Sequence, residues 1–272
     1  SDSLLPHYGT DRSAVVIKLS DQETDPEIIA RLKTASSPLL TIQMPDTNSL
    51  GGEFFRWEIA AATAGFLLGV NPFNEPNVQQ SKKTTQKILD IYGASGQLPL
   101  TEPDTVTKGA KFLLSDSARQ QLTNKEPHHF LELLATDDYL GLLAYLPTSE
   151  IEIKEILKKF CTTVSCISGH ATTLGYGPRY LHSTGQLHKG GKKNGLFIVI
   201  TAKPENDLSI PNESYSFGIL QQAQAIGDFV SLEAGQRRAL LIELPTRDPN
   251  VLNDALTNLL PKTLIKNYPT ES

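Results

Sequence analysis

Two stretches of the sequence concentrate side chains that can bind an anion or transfer a proton. The first is residues 69–83, GVNPFNEPNVQQSKK, where a glycine and an Asn-Pro pair precede a predicted helix that carries Lys82 and Lys83. An ammonium group so placed can face a crevice at the edge of a sheet, where it would hold a phosphate or pass on a proton. The other interpretation is a capped helix start with two solvated lysines, and the residue pattern by itself favours that simpler interpretation.

The second stretch is residues 175–191, GYGPRYLHSTGQLHKGG, a glycine-flanked segment that is dense in polar side chains. Its candidate binding groups are Arg179, His182, Ser183, Gln186 and Lys189. Such a loop can bring a cation, an imidazole and a hydroxyl onto one small ligand. His182 is the natural acid–base group because an ordinary imidazole titrates near neutral pH. The alternative is a polar surface loop without a ligand.

A third, weaker candidate is the Ser/Thr-rich run SGHATT at residues 168–173. It follows residues 164–167, which we predict to form a strand, and hydroxyl groups after a strand can hold a phosphate. A Ser/Thr-rich run is more often an ordinary turn, so the alternative here is a simple connection.

The elements that must position these side chains alternate between strand and helix. Short apolar and β-branched runs predict strands at residues 14–19, 38–44, 139–146, 164–167, 196–202 and 238–244. Helical spacing and capping signals, including Ser149 as an N-cap, predict helices at residues 26–32, 54–68, 77–92, 149–160, 215–232 and 248–260. This alternation predicts an α/β protein of three-layer αβα architecture with mainly parallel sheets.

The composition changes between residues 96 and 126, which are rich in Gly, Pro, Thr, Ser and Asn. We therefore predict a first lobe at residues 1–95, a linker at 96–126 and a second αβα lobe at 127–272. The strand and helix at 39–65 share their spacing of Pro, Phe and Gly with those at 196–227. This internal similarity indicates either two related lobes or the spacing that α/β units commonly share by chance.

Composition and charge exclude several classes of protein. The net charge of −5 argues against a nucleic-acid partner, which would require a basic face. The two cysteines, Cys161 and Cys166, lack a second pair and predict buried thiols rather than a zinc site. No apolar run approaches the roughly 18 residues of a membrane span, and we see no signal peptide. We therefore expect a cytoplasmic protein with no membrane partner.

The first stretch resembles the C-terminal signature of glucose-6-phosphate isomerases, Phe-Asp-Gln-x-Gly-Val-Glu-x-x-Lys after an Asn-Pro pair. Here it reads FNEPNVQQSK at residues 73–82. The resemblance makes Lys82 the active-site lysine and Glu75 the counterpart of the substrate-binding glutamine. The preceding run, FFRWEIAAATAGFLLGVNPF, is similar to the helix that leads into this signature in bacterial members.

The second stretch resembles the Leu-His-Ser-x-Gly-Gln segment that holds the catalytic histidine of bacterial isomerases, with His182 as the match. The runs GPRYLHSTGQLHKGG, YSFGILQQAQAIGD and QRRALLIEL are similar to the C-terminal region of bacterial transaldolase/glucose-6-phosphate isomerase fusion proteins. From about residue 50 onward, this resemblance covers nearly the whole chain. It implies lobes of the sugar-isomerase (SIS) type.

The resemblance implies interconversion of glucose 6-phosphate and fructose 6-phosphate through an enediol, with no metal and no organic cofactor. Lys82 and His182 would assist ring opening, and a glutamate would carry the proton between C1 and C2. No residue here matches that glutamate, so we expect an isomerase part that is inactive alone and that partners an upstream isomerase lobe in a homo-oligomer. The alternative is a non-catalytic module that binds a phosphosugar or associates subunits.

Overall fold

The computed structural model describes residues 14–19, 26–34, 38–74, 76–99 and 101–261. The chain divides into two compact units, residues 1–74 and residues 75–272. The division therefore falls earlier than the predicted linker at 96–126. The physical reason is the helix at Pro76–Ser95, which packs against a helix of the second unit at Phe217–Ala234.

The first unit is a small β-α-β arrangement followed by a long apolar helix. Its described elements are β1 (Ala14–Leu19), α1 (Pro26–Thr34), β2 (Leu39–Met44) and α2 (Leu50–Leu68). β1 and β2 pair in parallel, with Ala14 opposite Leu39 and Leu19 opposite Met44. Gly69 ends α2 in the left-handed conformation with φ 67°, which glycine adopts without a steric penalty. The crossover helix between two parallel strands agrees with the predicted αβ alternation.

The second unit is built around one sheet. The described strands of this unit are β3 (Thr105–Thr107), β4 (Ala110–Leu114), β5 (Tyr139–Tyr145), β6 (Ala171–Tyr176), β7 (Gly195–Ala202) and β8 (Arg238–Leu244). They lie in the order β3-β4-β8-β7-β5-β6, with β8, β7, β5 and β6 parallel and the β3-β4 edge antiparallel.

Helices cover both faces of this sheet. They are α3 (Pro76–Ser95), α4 (Asp116–Gln121), α5 (Ile151–Ser168), α6 (Gly185–Gly190), α7 (Phe217–Ala234) and α8 (Pro249–Thr257). α5 and α8 pack together on one face, and α3 and α7 pack together on the other. This arrangement confirms the predicted three-layer αβα fold with a mainly parallel sheet.

The central strand β7 shows why the sheet needs both layers. Every residue of β7 is buried. Ile198 and Ile200 face the core under α5 and α8, whereas Phe197 and Val199 face the core under α7. A parallel strand that is apolar on both sides is stable only when helices exclude water from both faces.

The structure differs from the sequence prediction at residues 164–167, which form the last turn of α5 and not a strand. The buried side chains Ile153, Leu157, Phe160 and Val164 continue at helical spacing, and this stripe overrides the strand preference of the local run. The predicted N-cap Ser149 is also wrong, since α5 begins at Ile151 with Glu150 in the capping position.

The predicted linker contributes to the sheet. Residues 96–126 contain β3, β4 and α4, and β4 pairs with β8. Arg119 of α4 holds Asp104 through two hydrogen bonds of 2.9 Å, from Nε to Oδ1 and from Nη2 to Oδ2. This polar segment therefore forms the antiparallel edge of the second unit.

Among the described residues, none of the helices combines the length and the apolar character needed to cross a membrane.

Candidate functional site

A polar network lies in the interior of the second unit. Lys189 Nζ donates to Asp228 Oδ1 at 2.5 Å and also to Ser81 Oγ. Tyr145 Oη and Tyr180 Oη both donate to Asp228 Oδ2. The Lys189 and Asp228 side chains are each 1% exposed, so this is a fully buried ion pair with hydroxyl partners. We call these five residues the buried network.

The buried network draws on five segments of the fold. Ser81 lies on α3, Tyr145 ends β5 and Lys189 lies on α6, while Asp228 lies on the mostly apolar inner face of α7. Tyr180 belongs to a 3-10 helix at Arg179–His182. An ion pair that joins so many elements is satisfied only when all of them are in place.

Two glycines leave the space that the tyrosine rings occupy. A Cβ atom on Gly177 would lie 2.3 Å from the Tyr145 ring. A Cβ atom on Gly175 would lie 2.9 Å from Tyr180 Cβ. The glycines of the second candidate stretch therefore have a packing role that the sequence alone did not indicate.

Burial shifts the pKa values of the ionisable side chains in the buried network. It lowers the pKa of the Lys189 ammonium, and the neighbouring Asp228 carboxylate opposes that change. Burial, followed by the charge of Asp228, raises the pKa of the Tyr145 and Tyr180 hydroxyls well above the ordinary value. Both tyrosines consequently keep their protons and act as donors to Asp228.

A second buried group, His188, lies beside the network. Its Nδ1 is 2.8 Å from Tyr139 Oη, and its ring packs edge-on against Phe197. Burial, and then the charge of Lys189, lower the pKa of His188 to about 4. The imidazole is therefore neutral at physiological pH.

Arg237 fixes the backbone around His188 and Lys189. Its Nη2 donates to the carbonyl oxygens of Lys189 at 2.8 Å and Gly191 at 2.5 Å. These bonds hold the end of α6 in place, since Arg237 is itself buried immediately before β8.

The two predicted catalytic residues lie on the surface next to network members. Lys82 is exposed on α3 and directly follows the buried Ser81. His182 is exposed at the end of the 3-10 helix that contains the buried Tyr180. Side chains in these positions are open to a solvent-borne ligand.

The predicted substrate-binding residues are placed differently from one another. Arg179 and Ser183 are exposed beside His182, and Gln186 is half-buried on α6. Lys189 faces the interior, where its ammonium is paired with Asp228. Glu75 lies outside the described residues. The roles proposed for these residues from the sequence stay predictions.

Sequence reasoning missed Asp228, Tyr145 and Tyr180. The available signal was one acid within the apolar run of α7, between Ile226 and Phe229. A lone buried carboxylate requires a charged partner, and that rule would have directed attention to Lys189.

The Ser/Thr-rich stretch at 168–173 does not follow a strand as predicted. Gly169 ends α5 in the left-handed conformation, and Thr172 and Thr173 already lie in β6. The Ser168 hydroxyl donates to the Val164 carbonyl oxygen at 2.6 Å. This stretch is thus a helix end joined directly to a strand.

Metal-binding side chains are dispersed in the part of the chain that the structure describes. Within it, no group of three His, Cys, Asp or Glu residues is placed to hold a metal ion. Cys161 is buried as predicted, but the prediction of a buried Cys166 is wrong, because Cys166 lies on an exposed position of α5.

Part of the sequence is similar to curated glucose-6-phosphate isomerases. The similarity is 36% identity over 58 residues with the enzyme from Lactobacillus helveticus and 43% over 58 residues with that from Exiguobacterium sibiricum, in each case 21% of this chain and 13% of the relative. With the enzyme from Mycoplasmopsis pulmonis it is 32% over 84 residues, or 31% of this chain and 20% of the relative. These matches therefore cover no more than about a fifth of each relative's length.

Among solved structures, a hypothetical protein from Thermus thermophilus aligns with 92% of this chain and 56% of its own chain. The TM-score is 0.44 and the sequence identity is 14%. No model of a known protein family matches the sequence.

Proposed function

We propose that this chain is part of a glucose-6-phosphate isomerase, related to the bacterial transaldolase fusion type, that interconverts glucose 6-phosphate and fructose 6-phosphate. The local similarity to curated glucose-6-phosphate isomerases is the observation that carries the proposal. It is supported by the surface positions of Lys82 and His182 on segments that are anchored by the buried residues Ser81 and Tyr180. An isomerase of this kind would act in the cytoplasm.

In this proposal, Lys82 and the residues beside His182 bind and open the sugar phosphate. The Lys82 ammonium can pair with the phosphate or donate to a sugar oxygen. His182 can exchange a proton with the ring oxygen, and Arg179 can form a two-pronged contact with phosphate. Proton transfer between C1 and C2 needs a further carboxylate, which we assign to an upstream lobe of the same protein.

The first unit supports the need for an additional lobe. Large apolar side chains are exposed along α2 and just after it: Phe54, Phe55, Ile59, Phe66, Leu67, Leu68, Val70 and Phe73. Phe66 is 84% exposed. The second half of α2, residues 59–68, is apolar around its circumference apart from Thr63, and a helix segment of this kind is normally buried. Parallel strands such as β1 and β2 are normally covered on both faces. We propose that an upstream isomerase lobe covers this surface.

The same apolar surface favours the second candidate function, a non-catalytic module that associates subunits or binds a phosphosugar. Contiguous apolar patches of this kind mark association sites in soluble proteins. In that case a partner would bury the surface of α2, and the second unit would catalyse no reaction.

An isomerase assay on the 272-residue chain, with fructose 6-phosphate as substrate, tests whether this chain can transfer the proton between C1 and C2 by itself. We expect no turnover from this chain alone. Turnover at the rate of a complete enzyme would contradict the assignment of the proton-carrying glutamate to another lobe.

Calorimetric titration with fructose 6-phosphate then tests binding. We expect the wild-type chain and His129→Ala to bind, and His182→Ala to bind at least several-fold more weakly. His129 is the matched control because it is a half-buried histidine that pairs with Glu132, away from the candidate stretches. If the wild-type chain does not bind, the subunit-association module replaces the isomerase proposal.

A further inference from the structure

The buried network connects the two surface segments that carry the candidate catalytic residues. Ser81 on α3 and Tyr180 on the 3-10 helix are the anchors, and both reach the same ion pair. We propose that Ser81 and Tyr180 are positioning residues that hold Lys82 and His182 in a fixed relation through Lys189 and Asp228. This inference rests on the isomerase function proposed above.

On α3, the direction of Lys82 follows from the anchoring of Ser81. Ser81 is 2% exposed and accepts a hydrogen bond from Lys189 Nζ. Successive residues of an α-helix project about 100° apart. Fixing Ser81 toward the core therefore fixes the rotation of α3 and directs Lys82 to one place on the surface.

The direction of His182 on the 3-10 helix depends on Tyr180 in the same way. Tyr180 is 4% exposed and donates to Asp228, whereas its neighbours Arg179 and His182 are exposed. A 3-10 helix of four residues has few internal hydrogen bonds. The Tyr180 side chain connects this segment to the interior by a directional hydrogen bond, whereas its neighbour Leu181 contributes only apolar packing against the same core.

Close packing between helices adds a second restraint at the same place. A Cβ atom on Gly227 would lie 2.7 Å from Thr85 Oγ1, so α3 and α7 approach closely at this point. Asp228 follows Gly227 directly. The contact that sets α3 against α7 therefore also brings the carboxylate to the ion pair that Ser81 contacts.

A buried ion pair suits this positioning role better than a stabilising one. Replacing such a pair by apolar side chains of similar size often leaves stability unchanged or raises it, because of the cost of desolvating both charges. What the pair offers is directional bonding, since the Lys189 ammonium only donates and the Asp228 carboxylate only accepts, each in a particular geometry.

The network contains its own control. Tyr145 donates to the same Asp228 Oδ2 atom as Tyr180, but it ends β5 and adjoins no candidate residue along the chain. Tyr145→Phe keeps the ring that packs against Gly177. Tyr145→Phe and Tyr180→Phe thus remove the same kind of bond from the same carboxylate. If the network only stabilises the fold, the two substitutions have the same effect on every measurement.

The test compares Ser81→Ala, Tyr180→Phe and Tyr145→Phe in the full chain. Calorimetric titration gives the dissociation constant for fructose 6-phosphate, and amide hydrogen exchange reports on residues 79–86 and 177–184. We expect about tenfold weaker binding for Ser81→Ala and for Tyr180→Phe, the loss of a hydrogen bond to a charged partner. We expect Tyr145→Phe to bind as the wild type does.

If the wild-type chain binds no sugar phosphate, only the proposed function is overturned. Hydrogen exchange still tests the positioning role in that case. We expect Ser81→Ala to accelerate exchange in residues 177–184 as well as in its own helix, and Tyr180→Phe to accelerate exchange in residues 79–86. Acceleration confined to the substituted segment, or an equal spread from Tyr145→Phe, would overturn the positioning role. If Tyr180→Phe does not fold, Ser81→Ala decides by the same criterion.

Discussion

The acid sensitivity of the second unit should depend on His188, and the expected size of the effect follows from its burial. Burial and the charge of Lys189 lower the imidazole pKa from 6.5 to about 4. Well above pH 6.5 the imidazole is neutral in the folded and the unfolded chain. Between pH 6.5 and pH 4 the unfolded chain binds a proton that the folded chain does not bind, so the free energy of unfolding falls as the pH falls.

At pH 4 this single group should remove about 3 kcal/mol from the free energy of unfolding, since each pKa unit corresponds to about 1.4 kcal/mol. The assay is urea denaturation at a series of pH values from about 8 to about 4, followed by far-ultraviolet circular dichroism. His188→Gln replaces the imidazole by a side chain that does not titrate and that still offers Tyr139 a hydrogen-bond partner.

We expect His188→Gln to be less stable than the wild type at about pH 8 and to lose much less stability between pH 6.5 and pH 4. The control is His182→Gln, an exposed histidine of the same stretch, which should keep the wild-type slope. A wild-type slope in His188→Gln would refute the conclusion that His188 is held neutral in the interior.

Three further substitutions test other parts of the structure through the free energy of unfolding. Lys189→Met should cost about 3–5 kcal/mol because it leaves the buried Asp228 carboxylate without its cation. The double variant Lys189→Met/Asp228→Asn should recover part of this loss. A double variant that is less stable than Lys189→Met would contradict the conclusion that an unpaired Asp228 charge causes the loss. Gly177→Ala should cost about 1–3 kcal/mol because the added methyl overlaps the Tyr145 ring; unchanged thermal stability would mean that the ring can move aside. Asp104→Asn should cost about 1.5–3 kcal/mol through the weakened bonds to Arg119, and no loss in denaturant titration would mean that residues 96–126 contribute little to the second unit.

The αβα class could be predicted from the sequence because the periodic signals were strong. The runs that became β5 and β7 are continuous and largely apolar, β8 contains the apolar run from Ala239 to Ile242, and α5 carries a regular apolar stripe. Only burial on both faces of a sheet explains uniformly apolar strands. The fold class could therefore be predicted because burial between distant segments leaves a local signal, an unbroken apolar run.

The errors arose where local preference and tertiary packing disagree. Residues 164–167 have the composition of a strand but complete a helical stripe that ends at Val164. The segment 96–126 has the composition of a linker, yet Phe112 and Leu114 pair β4 with β8 and fill the core. Neither outcome follows from a window of a few residues, because each is decided by a partner distant in the sequence.

For the candidate site, the sequence indicated which segments matter but not how their side chains divide between surface and interior. Lys82 and Lys189 are both lysines in candidate stretches, but the first is exposed and the second is paired with Asp228. That difference depends on the α7 residue opposite Lys189, which is 39 positions away in the sequence.

The most direct test of the central claim, that Lys82 helps to bind a sugar phosphate, is the dissociation constant for fructose 6-phosphate of Lys82→Ala relative to that of Lys83→Ala. Both lysines are exposed neighbours on α3, so the two substitutions change the net charge and the helix in the same way. We expect Lys82→Ala to bind about tenfold more weakly or worse, the loss of a charge-assisted contact, and Lys83→Ala to bind nearly as the wild type does. Equal affinities for the two variants would contradict the claim.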